Sequence, residues 1–182
     1  MTTHTFRILL FGTALVASAV ANPVPVFIFG LVPSGNISGE PGQTIGWGYA
    51  ISNEDPTDYL VLTNLDAATF LNGSASGLFD FPIIAPLQTV TETFDAGLSQ
   101  GLYELTWNAN APDAFVNSGE FTVTADWYNG DPFGSGTPIE GLTGVTLSQP
   151  YSATVATPEP AAVLPVLACL AGIVLRRRRA AS

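Results

Sequence analysis

The segment Thr44–Asn53 alternates without a break. Ile45, Trp47, Tyr49 and Ile51 fall on one side, and Gly46, Gly48, Ala50 and Ser52 on the other. A period of two belongs to an extended strand, because successive side chains there point to opposite faces. One face is large and apolar and the other is almost bare, so the bare face lets another stretch of backbone approach closely. The same signature recurs on both sides of this segment. Pro25–Val32 is an apolar first strand and Asp58–Asn64 carries Tyr59, Leu60, Val61 and Leu62. Leu78–Ile84 and Thr89–Phe94 are shorter candidates. Leu102–Asn108 sets Tyr103, Leu105 and Trp107 against Glu104, Thr106 and Asn108. Glu120–Tyr128 sets Phe121, Val123, Ala125 and Trp127 inward against Thr122, Thr124 and Asp126, and Val145–Leu147 and Tyr151–Val155 close the series. Turn clusters rich in Gly, Pro, Asn and Asp separate these runs, and no long stretch shows helical periodicity.

Seven to nine short strands with turns between them predict an all-β fold: an antiparallel, immunoglobulin-like β-sandwich of two sheets. The only Cys is Cys169, so no disulfide ties the sheets, and cohesion has to come from burial. Trp47, Trp107 and Trp127 lie in phase with aliphatic neighbours and are expected to anchor the core rather than to stack on a ligand.

Charge narrows the chemistry. The chain has 15 Asp and Glu against five basic residues, all Arg, for a formal net charge of −10. The arginines are Arg7 and Arg176, Arg177, Arg178 and Arg179, so residues 8–175 carry no cation, and the one His is His4. Such a surface cannot neutralise phosphates, which excludes nucleic acid, and the Lys of a nucleotide-binding loop is missing. Ser-His-Asp, Cys-His and Schiff-base chemistries lack their residues. Carboxylate pairs suited to glycoside hydrolysis are not singled out by any feature of the sequence. The chain is therefore expected not to be an enzyme.

Two oxygen-rich turns are the candidates for a metal. One is Glu54, Asp55 and Asp58, after the Trp47 strand; the other is Asp126, Asn129 and Asp131, after the Trp127 strand. Calcium takes six to eight oxygen ligands, and acidic loops without a paired cation suit it. Neither loop matches the EF-hand pattern, and turns use the same residue types for their own hydrogen bonds. No other cofactor is expected.

The ends read differently from the middle. After Arg7 a short apolar run leads to Ala19-Val20-Ala21, the layout of a signal peptide over residues 1–21 with cleavage before Asn22, and Ala17-Ser18-Ala19 is a second cleavage candidate. Residues 22–157 then form the extracytoplasmic β domain. Residues 158–182 read Pro158-Glu159-Pro160, an apolar stretch 161–175, and the four arginines. As a helix that stretch is about 22 Å long, short of a roughly 30 Å hydrocarbon core, and arginine stems can snorkel across the difference. The basic flank keeps the tail on the cytoplasmic side, as a stop-transfer signal, and leaves the domain outside.

This tail resembles the PEP-CTERM sorting domain in the order and spacing of Pro158, Glu159 and Pro160, the apolar stretch and Arg176–Arg179. The resemblance implies a transient inner-membrane anchor processed by an exosortase near Pro-Glu-Pro. It implies delivery to the cell surface or an extracellular polysaccharide matrix, and a structural or adhesive role, with exopolysaccharide as a candidate partner. A calcium- or carbohydrate-binding adhesion module is the alternative.

Overall fold

A computed structural model describes residues 24–157 of the 182-residue chain. The expected signal peptide with Ala19, Ala21 and Asn22 lies outside the described residues, as does the tail with Pro158–Pro160 and Arg176–Arg179.

The described residues form ten strands and no helix: β1 (Phe27–Val32), β2 (Asn36–Gly39), β3 (Thr44–Asn53), β4 (Tyr59–Ala67), β5 (Gly73–Gly77), β6 (Ile83–Ile84), β7 (Thr89–Glu92), β8 (Tyr103–Trp107), β9 (Val116–Tyr128) and β10 (Val145–Val155). They make two sheets. The first has the order β1-β3-β8-β5, with β7 pairing β3 beyond the end of β8; the second has the order β2-β10-β9-β4-β6. The expected all-β sandwich is therefore present.

Its core follows the alternation. Trp47, Tyr49 and Ile51 of β3 are fully buried, as are Leu105 and Trp107 of β8 and Phe121, Val123, Ala125 and Trp127 of β9. Trp47 bridges the sheets, with ring centroids 5.1 Å from Phe121 and 5.2 Å from Tyr151, and Phe27 meets Trp127 edge-on at 6.3 Å. All three tryptophans are thus core residues with no face free to stack on a sugar. The Trp47 indole N–H also donates to the Gly35 carbonyl at 3.1 Å, which ties the β1–β2 connection to the core.

The bare face of β3 is used as its glycines suggest. A Cβ on Gly46 would lie 2.4 Å from the Phe94 ring, and one on Gly48 would lie 2.1 Å from the Glu92 carbonyl oxygen. Segment 92–94 therefore closes over β3 at a distance only glycine permits.

Four details differ from the sequence expectation. The sheets are not wholly antiparallel, because β2 runs parallel to β10. After β1 pairs with β3 in one sheet, the chain crosses at residues 33–35 to the other and lies along its last strand. β2 and β5, Asn-Ile-Ser-Gly and Gly-Ser-Ala-Ser-Gly, have almost no apolar signal, and pairing to β10 and β8 determines them instead. Leu78–Ile84 is not one strand. Pro82 and the left-handed backbone of Phe81 (φ 53°) interrupt it, leaving only Ile83–Ile84. Val145–Leu147 and Tyr151–Val155 are the two ends of one strand, because β10 carries Pro150 through its pairing with β9.

Candidate functional site

The strand directions collect the oxygen-rich turns at one end. β3 ends at Asn53 and β4 starts at Tyr59, paired with Tyr128 at the end of β9, while β10 begins at Val145 opposite Ala125. The turn 54–58, the long loop 129–144 and the chain segment leading into β1 therefore share one end of the sandwich. β10 runs from this end to the other, so the described residues end with Thr157 at the opposite end, where Ala156 N–H donates to the Gly39 carbonyl.

Asn53 organises the shorter turn. It is buried, and its amide donates to the carbonyls of Asp58 at 2.8 Å and Ile84 at 3.1 Å while its oxygen accepts the Asp55 N–H at 2.9 Å. Asp55 is buried too. One carboxylate oxygen accepts the Thr57 N–H at 2.8 Å, the Thr57 hydroxyl at 3.0 Å and the Asp58 N–H at 2.8 Å. Burial pushes the Asp55 carboxyl up, but these three donors outweigh it and hold it below the usual carboxylate range. Asp58 goes the other way. Burial, then the neighbouring Asp55 charge, raise its carboxyl, against an opposing hydrogen bond from Thr57.

The longer loop is fixed in the same manner. Asp126 accepts the Gly144 N–H at 2.7 Å, Asn129 accepts the Thr137 N–H at 2.8 Å and Asp131 accepts the Phe133 N–H at 2.9 Å. The Asp131 carbonyl takes the N–H groups of Gly134 and Gly136 as well. This pinned loop holds Phe133 out in solvent, 87% exposed.

Of the six residues expected to offer oxygens, Asp55, Asp126, Asn129 and Asp131 each commit one side-chain oxygen to a turn. Glu54 is exposed and Asp58 half-buried. No group of three or more His, Cys, Asp or Glu is arranged to hold a metal ion among the described residues.

The structure does bring Asp58 and Asn129 together. Both line a cleft of about 500 Å³ with Val24, Pro25, Pro138, Ile139, Glu140 and Leu142. Its walls are mainly apolar and its two ionisable groups are both carboxylates. Glu140 was not legible as a site residue: it sits between Ile139 and Gly141 in a loop of no regular pattern, and only the fold of 129–144 brings it to the cleft that Asp58 also lines. A smaller cleft of about 240 Å³, between Leu65, Gly77, Phe79, Phe81 and Tyr103, lies near the point where Tyr49 donates to Asp80 at 2.5 Å. Burial, followed by the Asp80 hydrogen bond and charge, raises the Tyr49 hydroxyl far beyond its ordinary value, so it acts as a fixed donor.

Comparison with protein-family models, with curated proteins and with solved structures finds no match to this chain. What the fold and the cleft define is a two-sheet β-sandwich that presents an acidic, apolar-walled loop cluster at the end opposite to Thr157.

Proposed function

We propose that the chain is an exported, non-catalytic protein of the cell surface or extracellular matrix. It would be held at the inner membrane through residues 158–182 until an exosortase processes it near Pro158-Glu159-Pro160. The observation that carries this reading is the segregation of charge: all five arginines flank the two apolar end segments, and residues 22–157 hold fourteen carboxylates and no Lys, Arg or His. Basic flanks orient apolar segments in a membrane, and an acidic domain without them stays soluble outside it. The exit at Thr157 supports the same reading, since an anchored domain would then present its loop end away from the bilayer. The test is the location of the full chain and of a chain ending at Thr157. Unchanged anchoring and surface delivery after truncation would refute the sorting role.

We infer further that the sandwich is immunoglobulin-like. The order β1-β3-β8-β5 facing β10-β9-β4 matches the A-B-E-D and G-F-C strands of that type. Where such antibody domains join strands B and F by a disulfide, Trp47 of β3 and Phe121 of β9 meet edge-on.

A second reading, a calcium- or carbohydrate-binding adhesion module, is favoured by one observation: Phe133 stands exposed on a pinned loop beside Asp131. Aromatic faces of this kind stack on sugars. Retention on an exopolysaccharide matrix that is lost in Phe133→Ala would support it, and so would a rise in Tm at millimolar calcium. Neither effect appearing would remove it.

A further inference from the structure

The 500 Å³ cleft has a directional feature. Segment 24–26 extends β1 backwards along the 54–58 turn: Phe27 pairs with Asn53, and the Glu54 N–H donates to the Val26 carbonyl at 3.0 Å. Val24 and Pro25 then form one wall of the cleft, with Asp58 and Glu140 also on its lining. The described chain therefore begins on the wall of the cleft. Two extended residues span at most about 7 Å, which keeps Asn22 within that distance of Val24.

We propose that this cleft is the seat of the chain's own processed N-terminus: cleavage after Ala21 places the α-ammonium of Asn22 between the walls that carry Asp58 and Glu140. The proposal rests on the signal-peptide reading given above. Charge complementarity is its main argument. The processed domain has no Lys, Arg or His, so the new ammonium is the one cation available to it. Asp58 and Glu140 are the titratable groups lining the cleft, with Asp55 behind Asp58. The raised Asp58 carboxyl marks it as the group that gains most from an adjacent positive charge. The apolar walls of Pro25, Pro138, Ile139 and Leu142 reduce the screening of such a pair. Before cleavage the same position holds a neutral peptide bond, so the pairing is a product of export.

The absence of lysine supplies the assay. In a chain with no Lys, an amine-acylating reagent finds one amine, the α-amine. Acylation rates are measured against pH on a chain that starts at Asn22, folded and in urea. That start is made by a sequence-specific protease cutting ahead of Asn22, and is obtained separately from the exported protein. Pairing with a carboxylate within about 4–6 Å slows acylation of the folded chain near pH 8 by about five- to tenfold relative to urea. The double variant Asp58→Asn/Glu140→Gln, with its fold checked by its thermal transition, brings the rate back to within about twofold. Glu140→Gln alone, an exposed and nearly isosteric change, gives an intermediate rate if the double variant is unstable. Equal rates in folded and unfolded wild type would overturn the proposal, as would slow acylation that the substitutions leave unchanged. The mass of the exported protein reports separately on cleavage: an uncut N-terminus refutes the signal-peptide reading, whereas a cut at another bond, such as after Ala19, keeps that reading and overturns the assignment to Asn22.

Discussion

Replacing Asn53 by Ala removes the pin of the acidic loop end. Three hydrogen bonds go, and the loss is asymmetric because their partners stay. The Asp55 N–H and the Ile84 carbonyl are buried groups that lose their Asn53 partner; the Asp58 carbonyl is partly buried and regains water more easily. A net hydrogen bond contributes about 0.5–1.5 kcal/mol, and a buried group left without a partner costs about 1–3 kcal/mol. Together these give a destabilisation of about 2–4 kcal/mol, or roughly 6–20 °C in Tm for a domain of this size. Urea unfolding followed by fluorescence measures it directly, since Trp47, Trp107 and Trp127 are all buried. Asn129→Ala is the control. Its oxygen accepts the Thr137 N–H and hydroxyl at 2.8 and 3.2 Å, but in an exposed setting, so the change should cost less than about 1 kcal/mol. If Asn53→Ala costs no more than the control, burial is not what makes Asn53 the organiser of the turn, and the reasoning fails.

Other substitutions and conditions test separate parts of the fold. Gly48→Ala drives a Cβ into the Glu92 carbonyl and should cost at least about 2 kcal/mol in urea unfolding. Leu87 is the third residue of the turn Ala85–Gln88, whose Gln88 N–H donates to the Ala85 carbonyl at 3.2 Å; with a φ of 56°, Leu87→Gly should raise stability by about 0.5–1 kcal/mol. The pH dependence has two parts. Asp55 is held below its ordinary range, so its contribution is present above that range and is lost as the pH falls through the folded value; Asp58 is raised, so its ionisation opposes folding and relaxes as the pH falls through its own folded value. Thermal melts should accordingly show stability rising gently from pH 7 toward the carboxylate range and collapsing below about pH 4. Asp58→Asn should flatten the rise and leave the collapse.

The fold was legible wherever burial imposed a period. β3 is bounded as its alternation demands, and the inward residues of β8 and β9 are those that phase with the tryptophans. What escaped was set by pairing alone. β5 contains only Gly, Ser and Ala, so nothing in it distinguishes strand from loop until β8 offers its edge. β2 is similar, and its parallel alignment depends on where the chain end returns. The loop end was half legible. The two acidic turns stand out by composition, but their composition is equally that of turns, and hydrogen bonding settles what Asp55, Asp126 and Asp131 do with one oxygen each. Glu140 and Val24 carry no signal because their meeting with Asp58 depends on a loop excursion between β9 and β10.

A domain without cations has to find positive potential elsewhere, and its acidic turns do so with backbone N–H groups. Asp55 gathers two, Asp95 takes those of Gly97 and Leu98 at 2.8 and 3.2 Å, and Asp126 and Asp131 take one each. Partial charges on fixed amides offset a carboxylate without a mobile counterion, which is how a charged turn can also be a rigid one. These acids contribute structure at the expense of ligand capacity, since each has one oxygen already committed. Asp58 and Glu140 fall outside this pattern: the carboxyl of one is raised by burial and then by its neighbour Asp55, the other is exposed on an irregular loop, and both line the same cleft. Their charge therefore sits on a cleft whose walls are mainly apolar. A cation arriving there meets turns already held by their own hydrogen bonds, which is the setting that the proposed pairing with a processed chain start requires.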